Sequence, residues 1–597
     1  MKKKRNWRTI RDMSDYSELG KEDLIKIIRK LESRKKYGLI WDEDKVKEQF
    51  EKDAENALPV LKEISSKEIL DKDVAKPVNI LIEGDNYHAL SVLNFTHQGK
   101  IDVIYIDPPY NTGARDWRYN NDYIDKNDTW RHSKWVSFMN KRLLLAKQLL
   151  TEDGVLICTI DHNELPTLGL LLQEIFPDRE VTCVTIIHNP SGIQGKNFSH
   201  NNEFAYFVHR DDKKVIAAEI RSDEDADVRP FINGAKGNTK NYLRESGYNC
   251  FYPILVKNNE IIGFGDVSNK KFHPTPNIKR KDGIIEVYPI DGDGVERKWL
   301  FARNSVDDVA GDLSVKFNTK KNIFEIIRTK KDINYKTVWI NNKFNAKTYG
   351  TQLVQEIIKT DFPFPKSLHA VKECIKAVVH DKRSSTILDF FAGSGTTGHA
   401  VLELNKEDGG ARSFILCTNN ELNGFEKELR EKGLSEDEIQ EHGICRRVTY
   451  PRLEKVINGY KMVGGEKIDG LGGNLKYFKT KFVKNASNRD DFKIRITKEC
   501  TEMLCLREGV FNEIKKTANY RIFQQGDKTL AVYYSLTRAS LPTLKSQLDE
   551  IDGDKILYCF TLDPVGLSRS EFAGWHDVTL EPIPQKILDI YKQIYEY

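Results

Sequence analysis

Asp107-Pro108-Pro109-Tyr110 follows directly on the apolar run IDVIYI and sets a carboxylate, two prolines and a phenol on consecutive positions. Paired prolines fix φ and supply no backbone donor, so the turn is rigid and its carbonyls stay available as acceptors. A carboxylate and a carbonyl held side by side can each accept a hydrogen bond from one amino group. The tyrosine ring can stack on a flat heterocycle, a contact of about 1 to 3 kcal/mol with little dependence on which heterocycle it is. The same tetrapeptide is also an ordinary strand-ending turn. A second cluster, Asp389-Phe390-Phe391-Ala392-Gly393-Ser394-Gly395-Thr396-Thr397, begins 282 positions after Asp107, between a predicted strand and a predicted helix. Gly393 and Gly395 admit a ligand close to the backbone, and a helix opening near Thr396 presents unpaired amides to a negative group. With Gly398 the letters also fit G-x-G-x-x-G, the phosphate turn of dinucleotide-binding domains. Glu421, beyond the next strand, stands where a ribose-binding carboxylate is expected in either case.

Elements able to position these clusters are legible around them. VNILIEGD and IDVIYID read as buried strands ending in polar turns, and VLICTI as a third. Between the last two, an amphipathic segment from about Trp130 to Leu150 carries Trp135, Phe138, Met139, Leu143 and Ala146 on one side. From about 185 to 345 the alternation gives way to short strands, turns and basic clusters. It returns beyond Thr360 as helix LHAVKECIKAVV, strand TILDFF, the glycine turn, helix TTGHAVLELN and strand SFILCT. Strand and helix in alternation imply a mostly parallel sheet covered by helices, so the middle segment interrupts one α/β domain. Residues 1–75 are rich in Lys and Glu, with Leu24, Ile25, Ile27, Ile28 and Leu31 at helical spacing, and read as a small helical module. Past about 450 lies a mixed region with strands YRIFQ and TLAVYYS and no chemical motif.

A chain of 597 residues exceeds what one core sustains, so several domains are expected. With 39% hydrophobic and 30% charged residues it is globular rather than disordered, and no apolar run approaches a membrane span. MKKKRNWRTI has no apolar stretch behind its basic residues, which points to a cytoplasmic protein. Nine cysteines without CxxC or zinc spacing read as reduced, mostly buried thiols. A net charge of +4 does not announce a nucleic-acid partner, so any basic surface is local. Such local clusters occur in the middle segment, in KNFSHNNEFAYFVHR, NIKRKDG, VERKWLFARN and IIRTKKD, although FAYFV itself reads as a core strand.

Taken as a pair, in this order, the two motifs resemble the beta class of DNA amino-methyltransferases, where a catalytic tetrapeptide precedes the cofactor loop and a target-recognition region lies between. Gly84-Asp85-Asn86 with ALSVL is similar to the family turn whose aspartate contacts the cofactor adenine. WVSFMNKRLLLAKQLLTEDGVLICTIDHNE and IDGLGGNLKYFKT resemble stretches of type III modification subunits. FPFPKSLHAVK resembles the segment before the cofactor loop, with Lys366 as a partner for the methionine carboxylate. The likeness covers about residues 80–210 and 360–475. A hydride-transferring enzyme gives no reason for the tetrapeptide, and a catalytically silent recognition subunit none for both motifs being intact.

The resemblance implies an α/β fold: a Rossmann-like S-adenosylmethionine-dependent methyltransferase domain in two halves, 76–185 and 351–475, interrupted by a target-recognition domain over 186–350. A helical region over 1–75 and an α+β domain over 476–597 flank it. The implied reaction is methylation of adenine N6 in duplex DNA, the base being flipped out because its amine is otherwise inside the helix. Cytosine N4 is the alternative target, and a solitary or phage-defence methyltransferase the alternative setting. Asp107, Pro108, Pro109 and Tyr110 are the implied catalytic residues, with Asp107 and the Pro108 carbonyl holding the amine. Asp85, Lys366, Asp389, Phe391, Gly393, Gly395, Thr396 and Glu421 are the implied cofactor contacts. Tyr110, Asn111, Lys196 and Arg280 are the candidate DNA contacts, and no metal is needed. Implied partners are double-stranded DNA, a second copy of the chain and an ATP-driven restriction subunit, a role this chain cannot fill because it lacks GxxxxGK[ST].

Overall fold

VNILIE, IDVIYI, TILD and SFILCT, rich in β-branched residues and bounded by turns, form adjacent strands of one ten-stranded sheet. The computed structural model describes residues 57–595 except 74–75, 120–121, 126, 221–226, 235–239, 423–424, 463, 485, 487, 564 and 569, and in addition residues 20–22, 25, 39 and 41. The helical module read over 1–75 therefore lies outside the described residues up to position 56, those isolated positions excepted.

In chain order the sheet strands are β1 (Ala57–Glu63), β2 (Val78–Glu83), β3 (Ile101–Ile106), β4 (Leu150–Ile160), β5 (Glu180–Ile187), β6 (Asn202–His209), β7 (Val338–Ile340), β8 (Thr386–Asp389), β9 (Ser413–Thr418) and β10 (Asn474–Lys484). Their spatial order is β1-β10-β2-β9-β8-β3-β4-β6-β5-β7. From β10 to β4 the neighbours are parallel, whereas β1 and β6 run antiparallel to theirs. β1 corrects the helical reading of its segment: Ala57–Glu63 pairs with β10 across some four hundred residues, which no local periodicity reveals. It is an edge strand, where Pro59 is tolerated because a missing donor costs no second ladder.

Helices α1 (Asn86–Thr96), α2 (Arg131–Lys147), α3 (Leu165–Ile175), α4 (Leu368–Val379), α5 (Thr396–Asp408) and α6 (Tyr450–Asn458) accompany this sheet. α2 buries Trp135, Met139, Leu143 and Ala146, the stripe that its periodicity predicts. α1 is buried from Tyr87 through Thr96, on every face. The C-terminal region explains this, because its helices α8 (Thr501–Glu508) and α10 (Gln585–Tyr595) pack against α1. Arg507 donates to the Phe95 carbonyl at 2.7 Å and Tyr591 to that of Pro59 at 2.6 Å. α7 (Arg489–Glu499) precedes α8, and five strands, β11 (Glu513–Lys516), β12 (Tyr520–Gln525), β13 (Lys528–Tyr533), β14 (Asp554–Phe560) and β15 (Val578–Ile583), form a separate sheet with α9 (Leu541–Asp549). Side chains such as Met503, Leu504, Val532 and Ile587 join the same core as β2, β3 and α1, so the C-terminal region is continuous with the main sheet's core.

The chain divides into two compact units, Ile216–Lys336 and the remainder. β5, β6 and β7 are members of the main sheet, so the second unit is narrower than the segment of about 185 to 345 over which the alternation is lost. Within Ile216–Lys336 a three-stranded and a four-stranded antiparallel sheet enclose Phe231, Tyr252, Ile254, Trp299 and Val306. Its first and last strands, Ala218–Ile220 and Asp332–Asn334, pair with each other. All nine cysteines are unpaired, seven of them buried. Among the described residues no helix is long and apolar enough to cross a membrane.

Candidate active site

β3 and β8 are parallel neighbours, yet the chain leaving β3 goes through α2 to β4 on one side, while that leaving β8 goes through α5 to β9 on the other. Where adjacent connections diverge, a crevice opens beyond the carboxyl ends of the strands. Register aligns Leu388 with Ile104, so Asp389 and Asp107 end their strands on that edge. The two motifs, 282 positions apart in sequence, are thereby brought together.

On the β3 side, the Thr159 hydroxyl of β4 lies 2.7 Å from Asp107 Oδ1. Lys366 Nζ lies 3.2 Å from the same oxygen and also contacts the Glu203 carboxylate and the Tyr110 hydroxyl. Its ammonium is 4.4 Å from the Tyr110 ring centre. Tyr110 donates in turn to Glu203 Oε2 at 3.1 Å. The Pro109 carbonyl accepts from Trp135 Nε1 at 2.6 Å, while among the described residues no donor engages the Pro108 carbonyl. Burial acts against charge on Lys366, but Asp107 and Glu203 reverse it and hold the lysine above its ordinary pKa. Burial likewise opposes charge on Glu203, and Lys366, His188 and the Tyr110 hydroxyl overcome it, leaving that carboxyl below its ordinary value. Burial and then the two carboxylates push the Tyr110 phenol far above its usual range, so it stays a neutral donor.

On the β8 side, Asp389 is buried and directs both oxygens at its own loop, Oδ1 to the Phe391 amide at 2.9 Å and Oδ2 to the Thr397 hydroxyl at 2.6 Å. Burial raises its carboxyl to about 7 against the pull of those two donors, and Asp107 adds to the rise. Gly393 and Gly395 have φ of +46° and +76°, a region that L side chains enter only with strain. Thr449 donates to the Gly393 carbonyl at 2.6 Å. Arg452 Nη1 lies 3.2 Å from the Ser394 carbonyl, 3.1 Å from Ser394 Oγ and 2.8 Å from Thr396 Oγ1. Phe391 packs against Phe138 with ring centres 5.8 Å apart.

β2 contributes the turn between these sides. Asp85 caps α1 through the Tyr87 amide at 2.8 Å, and its side chain is 42% exposed, so it can still meet a ligand. Asn86 donates to the Phe390 carbonyl at 3.1 Å and accepts from Arg142 Nε at 2.6 Å, which ties α2 to the glycine loop. Glu421 lies beyond β9, half-buried, its carbonyl accepting from the Ile444 amide.

The remaining predicted positions are dispersed. Asn111 has φ of +56°, is fully buried, and donates to Glu164 Oε1 at 2.5 Å and to the Arg131 carbonyl at 3.3 Å, so its amide supports the turn from inside. Lys196 is exposed at the tip of the hairpin formed by Ile193–Gln194 and Ser199–His200. Arg280 belongs to the Ile216–Lys336 unit, where its Nε is bonded to Glu286 at 2.6 Å. Lys366 is near the tetrapeptide, its ammonium in contact with Asp107, Glu203 and Tyr110. Sequence reasoning missed Glu203, Arg142 and Arg452; the signal for Glu203 is a carboxylate heading the core strand NEFAYFVH.

A family model described as DNA methylase matches residues 101–430. The chain is 29% identical over 390 residues to the type III restriction-modification enzyme EcoPI Mod subunit of Escherichia phage P1, covering 58% of each protein. It is 29% identical over 348 residues to the type II methyltransferase M.KpnI of Klebsiella pneumoniae, covering 56% of this chain and 79% of that one. To the type III restriction-modification enzyme StyLTI Mod subunit of Salmonella typhimurium it is 28% identical over 400 residues, 62% of this chain and 56% of that one. The chain thus spans between half and two thirds of the length of both Mod relatives.

Proposed function

The chain belongs to the DNA methylase family, and from that premise we propose that it transfers a methyl group from S-adenosylmethionine to N6 of an adenine flipped out of duplex DNA. The reading rests chiefly on one observation: Asp107 and the Gly393–Gly395 loop end adjacent parallel strands, one suited to an amine and the other to a ligand that must approach backbone. Left-handed glycines, the first-turn amides of α5, the half-exposed Asp85 carboxylate and the half-buried Glu421 beyond β9 fit a ligand bearing both an amino-acid end and an adenosine. That ligand supplies an electrophilic methyl whose sulfonium already carries the driving force.

The chain's own residues then align the amine. Asp107 and the open Pro108 carbonyl accept its two hydrogens, which turns the nitrogen lone pair out of conjugation. Tyr110, fixed by Glu203 and Lys366, clamps the ring. Two carboxylates facing one ammonium favour a nitrogen that becomes cationic as the methyl arrives, and the proton can leave afterwards. Alignment of this kind is worth several powers of ten in rate. Asp389, with both oxygens inside its loop, shapes the cofactor site rather than contacting its occupant.

The Ile216–Lys336 unit acts as the target-recognition domain, and the chain works as a type III modification subunit with a restriction subunit and as a homodimer. Support comes from the Mod relatives and from the position of that unit between the two motif-bearing halves. Single-molecule sequencing of DNA from cells expressing the chain or its Asp107→Ala variant tests the reaction. N6-methyladenine at one short motif, absent with the variant, is the expected result. N4-methylcytosine instead would move the target, and no modified base together with no cofactor binding by the purified chain would overturn the reading.

A further inference from the structure

Lys366 meets Asp107, Glu203 and Tyr110 on the tetrapeptide side, and the glycine loop has a buried cation of its own. Among the described residues four arginines are almost wholly buried: Arg142, Arg244, Arg412 and Arg452. Three have a carboxylate within reach, Arg142 with Asp85 at 3.7 Å, Arg244 with Glu296 at 3.0 Å and Arg412 with Asp408 at 2.8 Å. Arg452 is 0% exposed and, among the described residues, has no carboxylate within 4.0 Å. Its guanidinium bonds instead to the Ser394 carbonyl and hydroxyl and the Thr396 hydroxyl, directly beneath the glycine loop, and its Nε has no partner. His399 Nδ1 lies 3.4 Å from Nη2, and burial with Arg452 beside it keeps that imidazole neutral, so it accepts a hydrogen bond and adds no charge.

Glu403 acts on Arg452 only from beyond ion-pair distance; a buried cation with no carboxylate in contact is costly, and a fold that keeps one gains from an anion arriving nearby. Thr396 begins α5, whose first amides have no partner within the helix and aim at the same loop. On the methyltransferase reading above, we propose that Arg452 is a positioning residue for the cofactor's α-amino-acid carboxylate, giving the loop over α5 the charge by which that carboxylate is recognised. Arg452 acts through Ser394 and Thr396, whose backbone and hydroxyls it orients, rather than by touching the ligand.

Equilibrium binding of S-adenosylmethionine and of its decarboxylated analogue to the full chain, without DNA, separates the possibilities. Wild type should bind the carboxylated form at least tenfold more tightly. Arg452→Gln keeps a hydrogen-bonding amide but no charge, and should lose about tenfold for S-adenosylmethionine while binding the analogue within twofold of wild type. Arg452→Lys, which keeps the charge and guards against a Gln variant that does not fold, should retain most of the preference. Equal weakening of both ligands in Arg452→Gln, a preference that survives there, a preference lost in Arg452→Lys, or no preference in wild type would each overturn the proposal. Failure of wild type to bind either ligand would instead remove the methyltransferase reading on which it rests.

Discussion

Asp107 and Asp389 are the same residue type at the same place in the topology, each at the carboxyl end of a central strand, yet their surroundings are opposite. Asp107 sits among ions: a lysine on one oxygen, a second carboxylate beyond it, and a side chain 27% exposed. Asp389 bonds only to dipoles, one amide and one hydroxyl, and burial, with Asp107 adding to the rise, lifts its carboxyl to about 7. The contrast separates two uses of an aspartate at a sheet's active edge. An ionic environment keeps a charge pointed outward for something else to meet, whereas a neutral, fully hydrogen-bonded one turns the carboxyl into a brace for its own loop.

The most severe way to break this comparison is Asp107→Ala, which should lower methyl transfer by at least about a hundredfold, as loss of a transition-state contact does. Cofactor affinity, measured by calorimetry, should stay within about twofold, since that loop is on the other strand. Losing cofactor binding in this variant would erase the division between the two aspartates. Gly395→Ala should have the converse effect. A Cβ at φ +76°, 3.3 Å from Thr449 Cγ2, strains the loop by about 1 to 2 kcal/mol, so cofactor affinity should fall roughly tenfold. The rate at saturating cofactor should change little.

A pH series sharpens the contrast. Asp389 titrates near 7 in the fold and near 3.8 when exposed, so its contribution is complete below about pH 4 and is lost as pH rises through 7. Asparagine never acquires the charge. The melting temperature of Asp389→Asn relative to wild type should therefore climb between about pH 4 and 7, by a few degrees, and level off above. A flat difference would mean that Asp389 is ionised throughout this range. The smallest effect expected is on turnover: Asp389→Asn should cost less than about threefold, since the amide oxygen can still accept one loop donor and Thr397 can rotate to the other group.

Much of the sheet was readable because its strands are buried on both faces and end at polar turns; Ser413–Thr418 and Leu368–Val379 coincide with their predicted runs. The tetrapeptide was readable for a related reason, a carboxylate and two prolines standing where an apolar run stops. What sequence could not give was pairing at a distance. Glu203 meets Lys366 across 163 positions, and Ala57–Glu63 is a strand only because β10 lies beside it. The inward turn of Asn111 was not readable either, since it follows from a left-handed backbone that sets the amide on Glu164. Lys366 was placed in the right neighbourhood, but its contact with Glu203 is another pairing that no local pattern announces.

One architectural detail bears on how such a protein changes over generations. The Ile216–Lys336 unit opens and closes with strands that pair to each other, and the chain rejoins the main sheet at β7 beside β5. A cassette zipped at its neck imposes almost no loop-closure entropy on its host, whatever its length. It can be exchanged, lengthened or rebuilt while β3 and β8 keep their register. Novelty in that segment is thus decoupled from the strand ends that carry the two motifs.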